Sequence, residues 1–341
     1  MFKSLGWLTV VVLLFTLTSC KKNGNASTAF YYWKTSFNLN QQQEALLKQT
    51  GNNAYIRFFD VSWSDKEQRS YPNAVVQLNE LPAGLNITPV IYITNKTFEN
   101  TADTAVATFA AHCNKLINEL ATEKKISYSK VQIDCDWSLS TRIKYFSFLM
   151  AFKKLNHKQL EATIRLHQVK FKDRTGVPPA DRGVLMFYNM GKLNADLHQP
   201  NSIYNEDDAG KYIAYLGSYP LKLDIALPLF SWGVHIRNGR VIQVYGKIGR
   251  GQLTDQVHFE PIKGQANYRA KTSFFLDGIY IKQNDIFKLE ETDSNTLNAA
   301  AKQIIQHLPK QQHTTIIYYE LANIDLSKFN QETITQISAR F

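Results

Sequence analysis

The sequence predicts an α/β protein, a (β/α)8 TIM barrel with an antiparallel β-rich insertion between strands seven and eight. Three observations carry this expectation. Eight short apolar runs recur from residue 30 onward, amphipathic helical patterns separate most of them, and one gap, 231–293, is dense in hairpin signals instead. The chain has 341 residues, 44% apolar and 20% charged, with 20 Phe, 17 Tyr and 5 Trp. Such a composition buries a core and excludes disordered and low-complexity classes. Three Cys exclude a disulfide scaffold.

The first element is a leader. Lys3 supplies a positive start, and Leu5 to Leu17 is an apolar run too short for the ~20 residues of a membrane-spanning helix. It ends in Leu17-Thr18-Ser19-Cys20, which resembles the lipobox of bacterial lipoproteins. That resemblance implies cleavage after residue 19, lipid on Cys20 and a membrane anchor through that lipid. The alternative is an ordinary cleaved signal with an incidental Cys. Residues 20–29 read as a polar tether, and 30–341 as the barrel. Lys21-Lys22 lacks a following acidic run, so the expected location is the bacterial cell envelope, facing the periplasm.

The strands follow in order: Phe30–Trp33, Ala54–Asp60, Ile87–Ile93, Val131–Trp137, Leu160–Leu166, Gly183–Tyr188, Leu223–Phe230 and Thr314–Glu320. Each has the length and the β-branched or aromatic content of a strand buried on both faces. Helices are expected over Ala102–Lys124, Thr141–Lys154, Asn295–Leu308 and Ser327–Ile337, where apolar residues recur at 3.6-residue spacing. Ser327 is the expected N-cap of the last. Asn238-Gly239 and Asp277-Gly278 are the hairpin turns of the insertion. Cys113 and Cys135 sit in apolar patterns and read as buried thiols, with a disulfide between them as the alternative.

The formal net charge of +10 is dispersed, with no Lys/Arg block longer than two. Nucleic-acid binding needs clustering, so that partner is excluded. Gly-rich phosphate loops, HExxH and Gly-x-Ser-x-Gly are missing from the sequence, so no cofactor and no metal site is expected.

Barrel enzymes carry their sites at the C-terminal ends of the strands. Candidates there are Trp33, Asp60, Asp134, Asp136, Arg165, Tyr188, Asn189, Trp232, His235 and Glu320, with His167 close by. The strongest local signal is Val131-Gln132-Ile133-Asp134-Cys135-Asp136-Trp137-Ser138. Period-two alternation places Gln132, Asp134 and Asp136 on one face and Val131, Ile133 and Cys135 on the other. Adjacent carboxylates in a desolvated site repel, which raises one pKa and suits proton transfer or substrate orientation. The alternative is a structural pair neutralised by Arg165 or by nearby lysines. Trp33, Trp63, Trp137 and Trp232 fall at or beyond strand ends, where aromatic faces stack on sugar rings.

These residues resemble a known family. Ile133-Asp134-Cys135-Asp136-Trp137 looks like the fourth-strand motif of family 18 glycoside hydrolases, the chitinase-like barrels, whose pattern is Asp-x-x-Asp-x-Asp-x-Glu. Met186-Phe187-Tyr188-Asn189 is similar to their Met-x-Tyr-Asp, and Ala226-Leu227-Pro228-Leu229-Phe230 to their seventh-strand segment. The chain looks still more like a family of bacterial barrel lipoproteins related to these hydrolases, a likeness that implies a fold and no particular reaction. The resemblance implies that Asp136 orients a substrate acetamido group and that Tyr188 steadies it. Ser138, however, stands where the catalytic Glu would be, Val131 where the first Asp would be, and Asn189 where an Asp would be. Loss of a general acid costs ~10²–10⁴ in rate, about 3–5.5 kcal/mol of barrier. Glu320 or Asp60 is the expected substitute. Three functions follow: a glycan hydrolase using Asp134, Asp136, Tyr188 and Glu320; a non-catalytic glycan-binding lipoprotein with Trp33, Asp60, Arg165, Asn189, Trp232 and His235 against the sugar; or an envelope assembly protein docking a protein partner through the insertion.

Overall fold

A computed structural model describes residues 26–263, 266–310 and 313–341. The expected leader and the lipidation residue Cys20 lie outside the described residues. Eight parallel strands close into a barrel: β1 (Ala26–Tyr32), β2 (Asn53–Ser64), β3 (Asn86–Ile93), β4 (Lys130–Asp134), β5 (Gln159–Arg165), β6 (Arg182–Met186), β7 (Leu223–Pro228) and β8 (Thr314–Tyr319). Each pairs in parallel with the next in chain order, and β1 closes the ring by pairing with both β2 and β8. Strands so placed are covered on both sides, which is why each reads as a nearly continuous apolar run.

β1 starts at Ala26, so residues 26–29 belong to a strand and not to the expected tether. They pair with residues 314–317 of β8, a partner 288 positions away that no local pattern announces. β2 runs on past the barrel to Ser64 and folds back antiparallel onto Arg69–Asn73, which places Trp63 in a hairpin above the rim.

The helices between are α1 (Gln41–Gln49), α2 (Val106–Glu123), α3 (Arg142–Asn156), α4 (Glu206–Ile213), α5 (Ser294–Ile305) and α6 (Gln331–Ser338). Side-chain caps satisfy orphan amide groups at the starts of α1, α4, α5 and α6. Asn40 Oδ1 accepts from the Gln43 amide at 2.9 Å, and the Gln43 side chain accepts in return from the Asn40 amide. Asp293 closes the insertion and caps α5 through the Thr296 amide at 2.8 Å. The cap of α6 is Asn330, not Ser327. Ser327 instead donates its hydroxyl to Asp325 at 2.6 Å in the preceding turn.

Apolar side chains form three cores. The largest lies between strands and helices and takes Phe30, Val131, Ile133 and Leu160 from the outward strand faces. A smaller one fills the barrel with Ala29, Tyr31, Tyr55, Val90, Val184, Met186 and Tyr188. A third belongs to the insertion and centres on Phe259, Tyr268, Phe287 and Leu289. The insertion is a five-stranded antiparallel sheet, in the order 240–245, 232–237, 286–290, 267–270, 259–262, with a separate hairpin 274–281. Asn238 and Gly239 have φ of 51° and 68°, and Asp277 and Gly278 have φ of 48° and 81°. This is the left-handed geometry that two-residue hairpins require. Cys113 and Cys135 are buried free thiols, so they form no disulfide with one another.

Candidate functional site

The site grows from the end of β4. Inside the barrel, Gln132 is fully buried and accepts from the Tyr31 hydroxyl at 2.8 Å. One step up, Asp134 accepts from Thr163 Oγ1 of β5 at 2.7 Å. Strand pairing ends there, but Asp136 still reaches the next strand. Arg165, at the tip of β5, donates from Nε to Asp136 Oδ1 at 2.6 Å and from Nη2 to Oδ2 at 2.8 Å. The fork is bidentate, and the Asp136 side chain stays 51% exposed. The two acids therefore differ in environment. Burial, then the charge of Asp136, pushes the Asp134 carboxyl up to about 6, with Thr163 and Arg165 opposing. Burial and the same two carboxylates push the Tyr92 phenol up to about 12.

Beside Asp136 lies a cavity of 430 Å³ lined by Asp136, Ser138, Arg165, His167, Tyr188 and Asn189, among others. Tyr188 is buried and its hydroxyl donates to Met186 Sδ at 3.0 Å. His167 is held below its ordinary pKa by burial and by the Arg165 charge. Asn189, at φ 54°, also lines a larger groove of 1190 Å³ between the barrel rim and the insertion. Phe230, Trp232, Lys247, Arg250, Tyr319 and Glu320 border that groove.

An aromatic floor runs beneath both. Tyr319 packs against Tyr31, Trp33, Tyr188 and Phe230 with centroids 5.6–5.9 Å apart. Trp232 packs on Phe230 at 5.2 Å, and its Nε1 donates to Glu290 at 2.8 Å. Tyr319 and Phe230 were not among the expected site residues. Period-two alternation held the signal, since Tyr319 shares the inward face of Ile317 and Phe230 that of Ala226. Lys247 and Arg250 carry no such signal in the sequence.

Other expected residues are held by contacts of their own. Trp137 is 4% exposed and stacks on Tyr145 of α3 at 5.2 Å, with Nε1 donating to the Thr175 carbonyl at 3.0 Å. It packs between barrel and helices and also lines the smaller cavity. His235 is buried in the insertion sheet, its Nε2 2.8 Å from Asp285 Oδ2 and its ring stacked on Phe287 at 4.6 Å. Antiparallel pairing carries it away from the mouth. Glu320 accepts from the Trp33 amide at 3.1 Å and from Asn323 Nδ2 at 2.5 Å, and burial raises its pKa. It borders the larger groove, whereas Asp136 borders the smaller cavity. Asp60 pairs with Arg57 at 3.2 Å, and burial raises its pKa against that charge. Arg57 also lies 5.5 Å over the Trp33 ring. Among the described residues, Asp60 Oδ1 and Arg57 Nε are buried without a hydrogen-bond partner. Ser138 begins the turn into α3. Its amide donates to Thr141 Oγ1 at 2.9 Å and its hydroxyl lies 2.8 Å from that of Ser140. Among the described residues no three His, Cys, Asp or Glu side chains converge to hold a metal ion.

Comparison with protein-family models finds no match, and no curated protein matches the sequence. Solved structures do match in shape. The spore cortex-lytic enzyme SleL of Bacillus cereus aligns with a TM-score of 0.54 at 12% identity, over 92% of this chain and 75% of that one. A chitinase of Rhizomucor miehei, RmChi1, aligns with a TM-score of 0.50 at 10% identity, over 91% of this chain and 99% of its own. The class V chitinase of Nicotiana tobaccum aligns at 0.49 and 11% identity, over 93% and 99% of the two chains. The structural neighbours are thus chitinase-like TIM barrels at low sequence identity, and what is shared is the fold.

Proposed function

We propose that this chain is an exported lipoprotein whose barrel mouth binds a glycan. One observation carries the reading: the bidentate Asp136–Arg165 pair, with Asp134 beneath it, lines a cavity that shares Asn189 with an aromatic-walled groove. Bidentate charge and amide groups fix hydroxyls, while Phe230, Tyr319 and Trp232 offer apolar surface to sugar C–H groups. The fold it shares with a chitinase and a cortex-lytic enzyme supports a polysaccharide as the ligand class. Binding is favoured over cleavage because the exposed acid, Asp136, is committed to Arg165, and Ser138 supplies no acid.

One observation favours a hydrolytic version. A carboxyl raised to about 6 titrates closer to neutrality than an ordinary one, as suits an acid/base pair, and Asp134 is that group. In this version Asp136 is the substrate-orienting or acid/base group, Asp134 tunes it, Glu320 is the second carboxylate and Tyr188 steadies the transition state.

The test is a glycan-array screen with product analysis of each hit by mass spectrometry. The expected result is affinity that Trp232→Ala weakens more than Glu320→Gln. Products that disappear in Asp136→Asn would establish the hydrolase. A chain that binds no glycan would overturn the reading in favour of envelope assembly through the insertion. Lipidation at Cys20 and a periplasm-facing anchor are part of the proposal, resting on the apolar run Leu5–Leu17 and the Cys that follows. The mass of the N-terminal peptide from membrane-purified protein tests them, and an unmodified Cys20 would refute them.

A further inference from the structure

We infer that the barrel face opposite the cleft is a docking surface for an anionic phospholipid bilayer. All eight strands start on that face, so the loops leading into them and the C-terminal ends of the helices share it. Lys125 precedes β4, Lys154 and Lys158 precede β5, Lys222 precedes β7 and Lys310 precedes β8. Arg340 follows α6, whose end is fixed beside the start of β1 by the 2.8 Å bond from Thr28 Oγ1 to Ser338 Oγ. These six side chains are exposed, and none joins an ion pair found among the described residues. Acids on this face are already matched. Glu123 pairs with Lys124 at 3.1 Å, Asp181 with Lys153, buried Glu161 with Lys130 at 3.0 Å and buried Asp224 with Arg182 at 2.6 Å. Glu80, before β3, is the exception.

The other end, where helices begin and strands finish, is mixed: Asp65, Asp136 and Asp325 pair with Lys96, Arg165 and Lys328, and Glu206, Asp207 and Asp293 stand among exposed Lys66, Arg174, Lys192 and Lys247. What distinguishes the strand-start face is that its acids other than Glu80 are paired while its exposed lysines are not. Helix dipoles account for lysines in last helical turns, such as Lys154. They do not account for Lys158, Lys222 and Lys310, which lie in loops.

Chain direction selects a bilayer as the occupant. β1 begins at Ala26 on the basic face, so the preceding segment enters from there. Cys20 is six residues earlier, a reach of about 20 Å when extended. A lipid on Cys20 would hold this face against the headgroups, and each lysine near an anionic surface adds about a factor of five in affinity. The cleft then points away from the membrane, toward glycan outside the headgroup layer. The charge argument stands whether or not Cys20 is lipidated.

The experiment is lysine acetylation footprinting of the whole chain, alone and with vesicles of phosphatidylglycerol or of phosphatidylcholine. The expected result is protection of Lys222 and Lys310 on phosphatidylglycerol that is lost in high salt, with Lys247 at the mouth unprotected. Replacing four residues together (Lys125→Gln, Lys154→Gln, Lys222→Gln, Lys310→Gln) should lower the preference for anionic over neutral vesicles about 10²–10³-fold. Equal protection at both ends, protection on phosphatidylcholine alone, or protection by polygalacturonate but by neither vesicle would overturn it. Glycan affinity of the cleft is measured separately on soluble sugar, so the two proposals fail independently.

Discussion

Asp134→Asn isolates what the site costs the fold. The folded Asp134 carboxyl titrates at about 6 against an ordinary 3.8, because burial and then Asp136 disfavour its charge. The folded protein therefore binds this proton more tightly than the unfolded chain does. The sign follows: Asp134 costs nothing below about pH 3.8, and the folded state loses stability as pH rises through about 6. The gap between the two values, at ~1.36 kcal/mol per pH unit, amounts to about 3 kcal/mol at full ionisation. Asparagine keeps an Oδ1 that accepts from Thr163 and cannot ionise. Urea unfolding of both proteins across pH measures the effect, and subtracting them cancels every other titrating group. The stability difference should be near zero at about pH 4 and rise to as much as about 3 kcal/mol in favour of Asp134→Asn at pH 8. A variant less stable at pH 8, or a difference that does not change with pH, would show that Asp134 is not a desolvated acid.

Arg165→Gln removes a charge that lowers the Asp134 pKa, so carboxyl NMR should follow that titration to a value above about 6; a downward move would refute the assignment. Trp137→Phe leaves a gap in the packing against α3 and unpairs the Thr175 carbonyl. It should cost about 1–3 kcal/mol in urea unfolding, a stability loss that the groove residue Trp232, changed to Ala, should not match. His235→Ala breaks the contact with Asp285 and the stack on Phe287, so hydrogen exchange should speed up by about 10²-fold across the insertion and not across β4 and β5.

Much of the fold was legible because its signals are local. Runs such as Ile87–Ile93 and Thr314–Tyr319 declare strands through side chains that suit burial on both faces. Asn238-Gly239 and Asp277-Gly278 declare hairpins because few other residue pairs accept those angles at low cost. The inward face of β4 was readable from alternation alone, and so were Tyr319 and Phe230, although the polar neighbour Glu320 drew attention from them. Trp137 misled because a strand-end position does not say whether a ring turns to the mouth or to the helices. Residues 26–29 misled because Ala-Ser-Thr-Ala has the composition of a linker and becomes a strand only when β8 is beside it.

Alternating apolar runs, turn residues and amphipathic spacing were enough to specify a barrel, its insertion and the acids on its fourth strand. Which charges meet was settled by closure of the ring. Arg165 finds Asp136 29 positions away, His235 finds Asp285 50 away, and the Trp33 amide finds Glu320 287 away. Such partnerships depend on strand register and side-chain direction. Those are properties of the assembled sheet, and residues near in sequence carry no record of them.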